Sequence, residues 1–160
     1  MNIEIIPAYG YPQEVGVLFS EYTKMLIDGD SSFRDYLAVQ HYDEELAHLE
    51  MKYGLPWGRL YLARCGKEWA GCIGLRKIDR QSCEMKRLYV RPRFRGQRIG
   101  KILVERIIAD GREIGYDHML LDTLTFLERA VHMYEAYGFY EIESYNDSPM
   151  EKAIYMKLDL

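Results

Sequence analysis

The sequence predicts one α/β (α+β) domain in which a single mixed β-sheet is flanked by helices. The length of 160 residues is typical of one compact domain, and 48% of the residues are hydrophobic, which is enough for one core. The hydrophobic period also switches repeatedly between helix-like and strand-like spacing. The predicted order is βααβββαβαββ, and we expect residues 1–160 to form one domain without a linker or an internal repeat.

The first third of the chain predicts one strand and two helices. Residues 2–6 alternate as a strand, and Pro12 marks the first turn of a long helix that ends near Gly29. A polar stretch follows, after which Asp43 is the predicted N-cap of a second helix that Gly54 ends.

Residues 58–90 change to a period of two, which predicts three antiparallel strands joined by tight turns. The third strand ends before Pro92, because proline cannot donate to a strand ladder. A helix then begins after Gly96, and a short apolar strand over residues 117–124 follows it, so we expect a parallel strand pair with a right-handed crossover. A further helix is predicted over about 126–137, with two strands after it, FYEIESY and KAIYMKLDL.

Charge, cysteine spacing and hydropathy exclude several classes of function. A net charge of -4 argues against a general binder of nucleic acid or of an anionic membrane. The three cysteines have no C-x-x-C spacing, and the histidines have no metal-ligand spacing. The N-terminus lacks a signal-peptide pattern, and no apolar run approaches the roughly 20 residues of a membrane span. We therefore expect a cytoplasmic protein without a metal or a membrane partner.

The segment after the third meander strand combines a helix start with clustered arginines. Gly96 and Gly100 lack side chains, so a ligand can come close to the backbone there. Arg95 and Arg98 add positive charge to the unpaired N–H groups of the helix N-terminus, which favour phosphate. The spacing matches neither the loop of nucleotide hydrolases nor the G-x-G-x-x-G loop of dinucleotide-binding proteins. The segment predicts an anion site, with a solvated basic patch as the alternative.

The same segment resembles the coenzyme loop of the GCN5-related N-acetyltransferases, the GNAT family, whose signature is Q/R-x-x-G-x-G/A after a strand. Arg95 and Gly100 match its first and last positions, and Arg98 stands where the middle glycine is expected. The stretch ERAVHMYEAYGF is similar to the A-x-x-x-Y-x-x-x-G-F helix end of the family, with Leu127 where the family often has asparagine. The resemblance covers roughly residues 58–140.

The resemblance implies a direct transfer of the acetyl group of acetyl-CoA to a primary amine, with both substrates bound at once. In the family, loop amides hold the coenzyme pyrophosphate and the preceding strand binds the pantetheine arm. The central-strand glutamate of the family matches Glu84, the candidate base, and its helix tyrosine matches Tyr134, the candidate acid. The implied coenzyme-binding residues are Leu88, Tyr89, Val90, Arg95, Gly96, Gln97, Arg98, Ile99, Gly100 and Lys101.

Structural roles remain open for both catalytic candidates. A free glutamic acid has a pKa of about 4.3 and an amine one of about 10.4, so Glu84 needs burial or a water chain to act as a base. The alternative is a surface strand residue paired with Lys86. Tyr134, with an ordinary pKa of about 10, suits proton donation to the thiolate, and the alternative is a core tyrosine.

The acceptor is not specified by these patterns. Acidic residues are frequent over residues 28–50 and would suit a cationic amine, or they form a solvated helix face. The short chain favours a small-molecule amine over a protein N-terminus or lysine, and a homodimer fits the family. A coenzyme A-binding sensor without turnover is the competing function. Five aromatic residues are expected either to line an acceptor pocket or to pack in the core: Phe33, Tyr36, Tyr42, Tyr53 and Trp57.

Overall fold

The computed structural model describes residues 2–146, 148 and 150–160. Within them, the strands are β1 (Ile3–Pro7), β2 (Arg59–Cys65), β3 (Glu68–Lys77), β4 (Ser82–Val90), β5 (His118–Leu124), β6 (Tyr140–Ile142) and β7 (Ala153–Asp159). The helices are α1 (Pro12–Gly29), α2 (Phe33–Val39), α3 (Tyr42–Ala47), α4 (Leu49–Tyr53), α5 (Ile99–Ile114) and α6 (Glu128–Ala136), with a 3-10 turn over Pro92–Phe94. None of the helices in these residues has both the length and the hydropathy needed to cross a bilayer.

The strands form one mixed sheet in the order β1-β2-β3-β4-β5-β7-β6, which confirms the predicted fold class. The β2–β3–β4 meander is antiparallel, and β4 pairs with β5 in parallel, as the sequence predicts. Helix α1 spans the predicted residues. The strand predicted over residues 139–145 is shorter than expected, since β6 has only three residues.

The segment between α1 and β2 differs from the predicted polar stretch and single helix. Helix α2 begins at Phe33, inside the expected polar stretch, because Phe33 and its buried helix neighbours pack with Leu124 of β5. His41 has a left-handed backbone, with φ of 55°, and lies between α2 and α3. His48 lies between α3 and α4, and Asp43 is in the first turn of α3 rather than at an N-cap. A long-range contact therefore determines helix α2.

The two faces of the sheet carry separate hydrophobic clusters. Helix α5 packs on one face, where Leu103 joins the same cluster as Met85 of β4. Helices α1 and α4 cover the other face, where Phe19 and Tyr53 meet edge to face with their ring centroids 6.1 Å apart. Because side chains alternate along a strand, those of Glu84 and Lys86 point away from α5.

A bulge interrupts this alternation in β4. Tyr89 lies opposite Cys72 and Lys86 opposite Gly74, so two residues of β4 face one residue of β3. Arg87, inside the bulge, has a left-handed φ of 60°. Its side chain consequently turns to the same face as that of Lys86, and both contact the amide oxygen of Gln40.

An ion pair holds the bulge against α3. The Arg87 guanidinium is 3% exposed and donates to Glu45 through Nε at 2.9 Å and Nη2 at 2.8 Å. Glu45 also accepts hydrogen bonds from Tyr53 Oη at 2.9 Å and Lys52 Nζ at 2.6 Å. Burial alone would raise the pKa of Glu45, but Arg87 and Lys52 outweigh it and lower that pKa to about 2.

Replacing Glu45 by glutamine should lower the free energy of unfolding by about 3 kcal/mol near neutral pH, because Arg87 then stays buried without its counter-charge. Glu44→Gln is the matched control, since Glu44 is exposed on the same helix and its loss should cost less than about 0.5 kcal/mol. Urea unfolding of the wild type and the two variants measures both losses of free energy of unfolding.

The pH dependence of this difference provides a second check. The pKa of Glu45 falls from 4.5 to about 2 on folding, so its contribution is complete above pH 4.5 and disappears as the pH falls towards 2. The stability gap between wild type and Glu45→Gln should therefore narrow over that range. A gap that stays constant down to pH 2 would argue against a buried ion pair.

Candidate active site

Strands β4 and β5 separate towards their carboxyl ends and open a cavity of about 860 Å³. Their parallel pairing ends where Glu84 lies opposite Leu120. Within the described chain, residues 85–90 and 121–124 form no ladder with each other across the gap. Backbone groups on these inner edges are left available, and α1, α2, α6 and the loop before α5 enclose the space between them.

One end of the cavity is a cradle of backbone N–H groups. Gly96 has φ of 81°, and Arg98, at the N-cap of α5, has φ of 66°. In the described part of the chain, the N–H groups of residues 96–101 have no acceptor. This left-handed turn at a helix N-terminus is the geometry that binds phosphate oxygens. It also shows how arginine replaces the expected glycine, since Arg98 adopts the backbone conformation that a glycine would supply.

Side chains around the cradle keep it open and positively charged. A Cβ atom on Gly100 would meet only Val90 Cγ2, at 3.9 Å, so the space above this residue is free for a ligand. Arg95 lines the cavity, lies over the Tyr89 ring at 5.9 Å and donates through Nε to the Val90 carbonyl at 2.9 Å. The Val90 carbonyl therefore already has a donor, which the sequence could not indicate.

Nine of the ten residues predicted to bind the coenzyme line the cavity. The exception is Gln97, whose side-chain Oε1 is buried without a hydrogen-bond partner among the described residues. Its backbone N–H still belongs to the cradle. The structure thus brings the strand residues Leu88, Tyr89 and Val90 and the loop residues into one continuous wall.

Tyr134 lies on α6 at the wall of the cavity. It is 6% exposed, and its ring contacts Phe139 edge to face with the centroids 5.8 Å apart. Burial raises the pKa of the Tyr134 phenol above its ordinary value, so the group stays protonated at neutral pH. Its hydroxyl has no hydrogen-bond partner within the described residues, which leaves it available to a ligand.

Glu84 has a different environment from that expected of a base. It is buried but does not line the cavity, and its carboxylate accepts hydrogen bonds from Arg76 Nε at 2.6 Å and Tyr145 Oη at 2.5 Å. Burial would raise the pKa of Glu84, but the Lys86 ammonium and the Arg76 guanidinium outweigh it and lower that pKa. This arrangement favours a counter-ion over direct proton abstraction.

The far end of the cavity contains four polar side chains, and two of them, Gln40 and Asp122, were not named in the predictions from the sequence. Lys86 of β4 and Asp122 of β5 line it together with Tyr36 of α2 and Gln40, the residue directly after α2. Asp122 Oδ2 accepts hydrogen bonds from Tyr36 Oη and from Asn146 Nδ2, the latter at 3.1 Å. Extending the β4–β5 register two residues beyond its last pair would have placed Lys86 and Asp122 opposite each other.

The acceptor residues expected from the N-terminal region are only partly present at this end. None of the acidic residues between positions 28 and 50 lines the cavity, and Glu45 is paired with Arg87 instead. Phe33 and Tyr36 do line it, whereas Tyr42, Tyr53 and Trp57 do not. Position in the sequence therefore did not reveal which side chains α2 turns towards the sheet.

The cavity suits acetyl-CoA in both shape and charge. The N–H cradle and its arginines fit a pyrophosphate, the open β4 edge fits an extended amide-containing arm, and Tyr134 lines the same cavity. Acetyl-CoA carries a pyrophosphate, an arm with amide groups and a thioester, so it has a group to match each feature.

Comparisons with known proteins agree with this geometry. The sequence model of the acetyltransferase (GNAT) family matches residues 26–139. An uncharacterised N-acetyltransferase of Schizosaccharomyces pombe is 41% identical over 126 residues, which cover 78% of this chain and 77% of that protein. The crystal structure of an acetyltransferase from Streptococcus agalactiae superposes with a TM-score of 0.79 at 21% identity, covering 99% of this chain and 98% of that one.

A further solved structure is that of a GNAT family acetyltransferase from Elizabethkingia anophelis with acetyl-CoA bound. It has a TM-score of 0.66 at 21% identity and covers 99% of both chains. The family match over most of the chain confirms the resemblance that the loop and the helix end indicated. The chain therefore belongs to the acetyltransferase (GNAT) family and is an acetyl-CoA-dependent N-acetyltransferase.

Proposed function

We propose that the protein transfers the acetyl group of acetyl-CoA directly to the primary amine of a small molecule. The observation that carries this proposal is the continuity of one cavity from the N–H cradle, past Tyr134, to the polar end at Lys86 and Asp122. Two substrates that share this space can react without a covalent enzyme intermediate. Holding them together supplies much of the rate, because a bimolecular step becomes effectively unimolecular.

The coenzyme is proposed to bind with its pyrophosphate on the N–H groups of residues 96–101. Arg98 and Lys101 lie beside this cradle at the cavity wall and would supply charge. The pantetheine arm would follow the open edge of β4 at Leu88 and Tyr89 as an added strand. The arm would then end near Tyr134.

In the transfer itself, the amine nitrogen bonds to the acetyl carbonyl carbon and the bond from that carbon to sulfur breaks. The sulfur leaves with the electron pair of that bond and takes a proton from the Tyr134 hydroxyl, which burial keeps protonated. Tyr134 then regains a proton from solvent. The acetylated amine and free coenzyme A are the products.

The amine must lose a proton before it can attack, and two carboxylates are candidates to receive it. Glu84 does not line the cavity, and its Oε1 is 3.8 Å from the Nζ of Lys86, which does. Asp122 lines the cavity directly. We therefore propose that Asp122 takes the amine proton on its way to solvent and that Glu84 holds Lys86 in place.

A small acceptor is favoured because the polar end is covered. The hydrogen bond from Tyr36 Oη to Asp122 joins α2 to β5 across the cavity, and Phe33 packs beside it. A protein substrate would need an open groove for its flanking residues, whereas a small amine needs only space between α2 and the sheet.

The cradle can be tested by calorimetric titration of acetyl-CoA into the double variant Arg95→Ala, Gly96→Pro. Proline cannot adopt the φ of 81° found at Gly96, so the cradle cannot form, and we expect Kd to rise at least about 10-fold. The control is Arg93→Ala, since Arg93 lies in the same loop but pairs outward with Glu68. If the folded double variant bound acetyl-CoA as tightly as the wild type does, the coenzyme would have to bind outside this cradle.

The role of Tyr134 can be tested by the variant Tyr134→Phe. We expect kcat to fall by roughly 100-fold or more, because the thiolate loses its proton donor, while the Kd of acetyl-CoA changes by less than about twofold. Tyr137→Phe is the control, since the Tyr137 hydroxyl donates to Glu105 at 2.8 Å, outside the cavity. Steady-state assays of coenzyme A release measure kcat. An unchanged kcat in Tyr134→Phe would show that Tyr134 is not the proton donor to the thiolate.

A further inference from the structure

Two oppositely charged side chains line the polar end of the cavity and, among the described residues, form no ion pair with each other. Lys86 and Asp122 lie two residues beyond the last β4–β5 pair, on the same face of the sheet. Among the described residues, the ion pair that Lys86 forms is with Glu84, at 3.8 Å, and not with Asp122. The cavity wall therefore contains an ammonium and a carboxylate that do not pair with each other.

Lys86 has few strong partners for a buried cation. Its side chain is 6% exposed, and its Nζ contacts Gln40 Oε1 at 3.5 Å in addition to Glu84. Both contacts are long, because Gln40 Oε1 already accepts from Arg87 at 2.7 Å and Glu84 already accepts from Arg76 at 2.6 Å. An ammonium carries three N–H donors, and Lys86 lines the cavity, so a ligand bound there can accept a hydrogen bond from it.

The charges around this end are also unbalanced. Four buried or half-buried cations meet three carboxylates, and each carboxylate other than Asp122 already has two basic partners nearby. A cation buried without its full counter-charge costs free energy that a bound anion would recover. The cations are Lys52, Arg76, Lys86 and Arg87, and the carboxylates are Glu45, Glu84 and Asp122.

On the basis of the function proposed above, we infer that the acceptor is an amino acid, a small molecule with both a primary amine and a carboxylate. Its carboxylate binds Lys86 Nζ beside Gln40, and its ammonium faces Asp122, which takes the proton that the amine must lose. The two ends of the ligand thus match two charges of the cavity wall that do not pair with each other among the described residues. The same wall disfavours polyamines and other polycations, since a second ammonium would lie against Lys86.

Burial lowers the pKa of Lys86 in the absence of a ligand. A carboxylate bound beside it would favour the ammonium form and raise that pKa again. Binding of an amino acid should therefore be accompanied by proton uptake when the pH lies near the pKa of the free site.

The test is a comparison of matched acceptors in the presence of saturating acetyl-CoA. Each proteinogenic amino acid is assayed beside its methyl ester and its decarboxylated amine, with coenzyme A release as the readout. We expect kcat/KM to be highest for an amino acid and roughly 10-fold to 100-fold lower for its two carboxylate-free analogues, the range of a hydrogen bond to a charged group.

The variant Lys86→Met connects this preference to the proposed site. It should lower the ratio of kcat/KM for the amino acid over its decarboxylated amine by at least about 10-fold, and Lys86→Glu should lower the ratio further. The control Lys67→Met removes an exposed lysine from the β2–β3 turn and should leave the ratio unchanged. Thermal shifts of the variants with bound coenzyme A show that each is folded and whether amino acids stabilise it.

Each result separates this inference from the function on which it rests. Acetyl transfer that favours esters or decarboxylated amines, with a ratio unaffected by Lys86→Met, would overturn the amino acid acceptor and leave N-acetylation of amines intact. Tight binding of acetyl-CoA without transfer to any member of the panel would overturn both proposals.

Discussion

The bulge in β4, held by the ion pair between Arg87 and Glu45, is the constraint on which the active site depends. A left-handed conformation at a residue other than glycine costs about 1–2 kcal/mol, so the surrounding contacts must maintain it. The paired guanidinium and carboxylate, further tied by Lys52 and Tyr53, provide those contacts. Because the bulge resets the alternation of β4, Lys86 and Arg87 both face the N-terminal helices.

The separation of β4 from β5 gives this constraint its functional consequence. A sheet that stayed paired along its whole length would satisfy its own backbone groups and leave no edge for a ligand. Here the ladder ends at Glu84, α5 and α6 cover one face, and α1 and α2 cover the other. The gap between the two strands is therefore one cavity, and in the function proposed above the coenzyme and the acceptor share it.

The environment of each ionisable group then distinguishes its role. Tyr134 is buried among apolar neighbours and stays protonated, which suits a donor. Glu84 is buried among cations and stays ionised, which suits a counter-ion. Asp122 and Lys86 lie on the cavity wall, where a ligand can complete their interactions. The carboxylates of Glu84 and Asp122 thus have different surroundings, and for this reason different roles are proposed for them.

The sequence alone determined the strands, the long helices and the arginine-rich loop before α5, because each depends on local signals such as hydrophobic period, glycine position and a helix start. It also indicated Tyr134, which lies in a recognisable helix end. Only the tertiary structure decided the burial of Glu84, the start of α2 at Phe33 and the placement of Lys86 and Asp122 on the wall of one cavity. Those features depend on where a strand ladder ends and on contacts between distant segments, which no local pattern records.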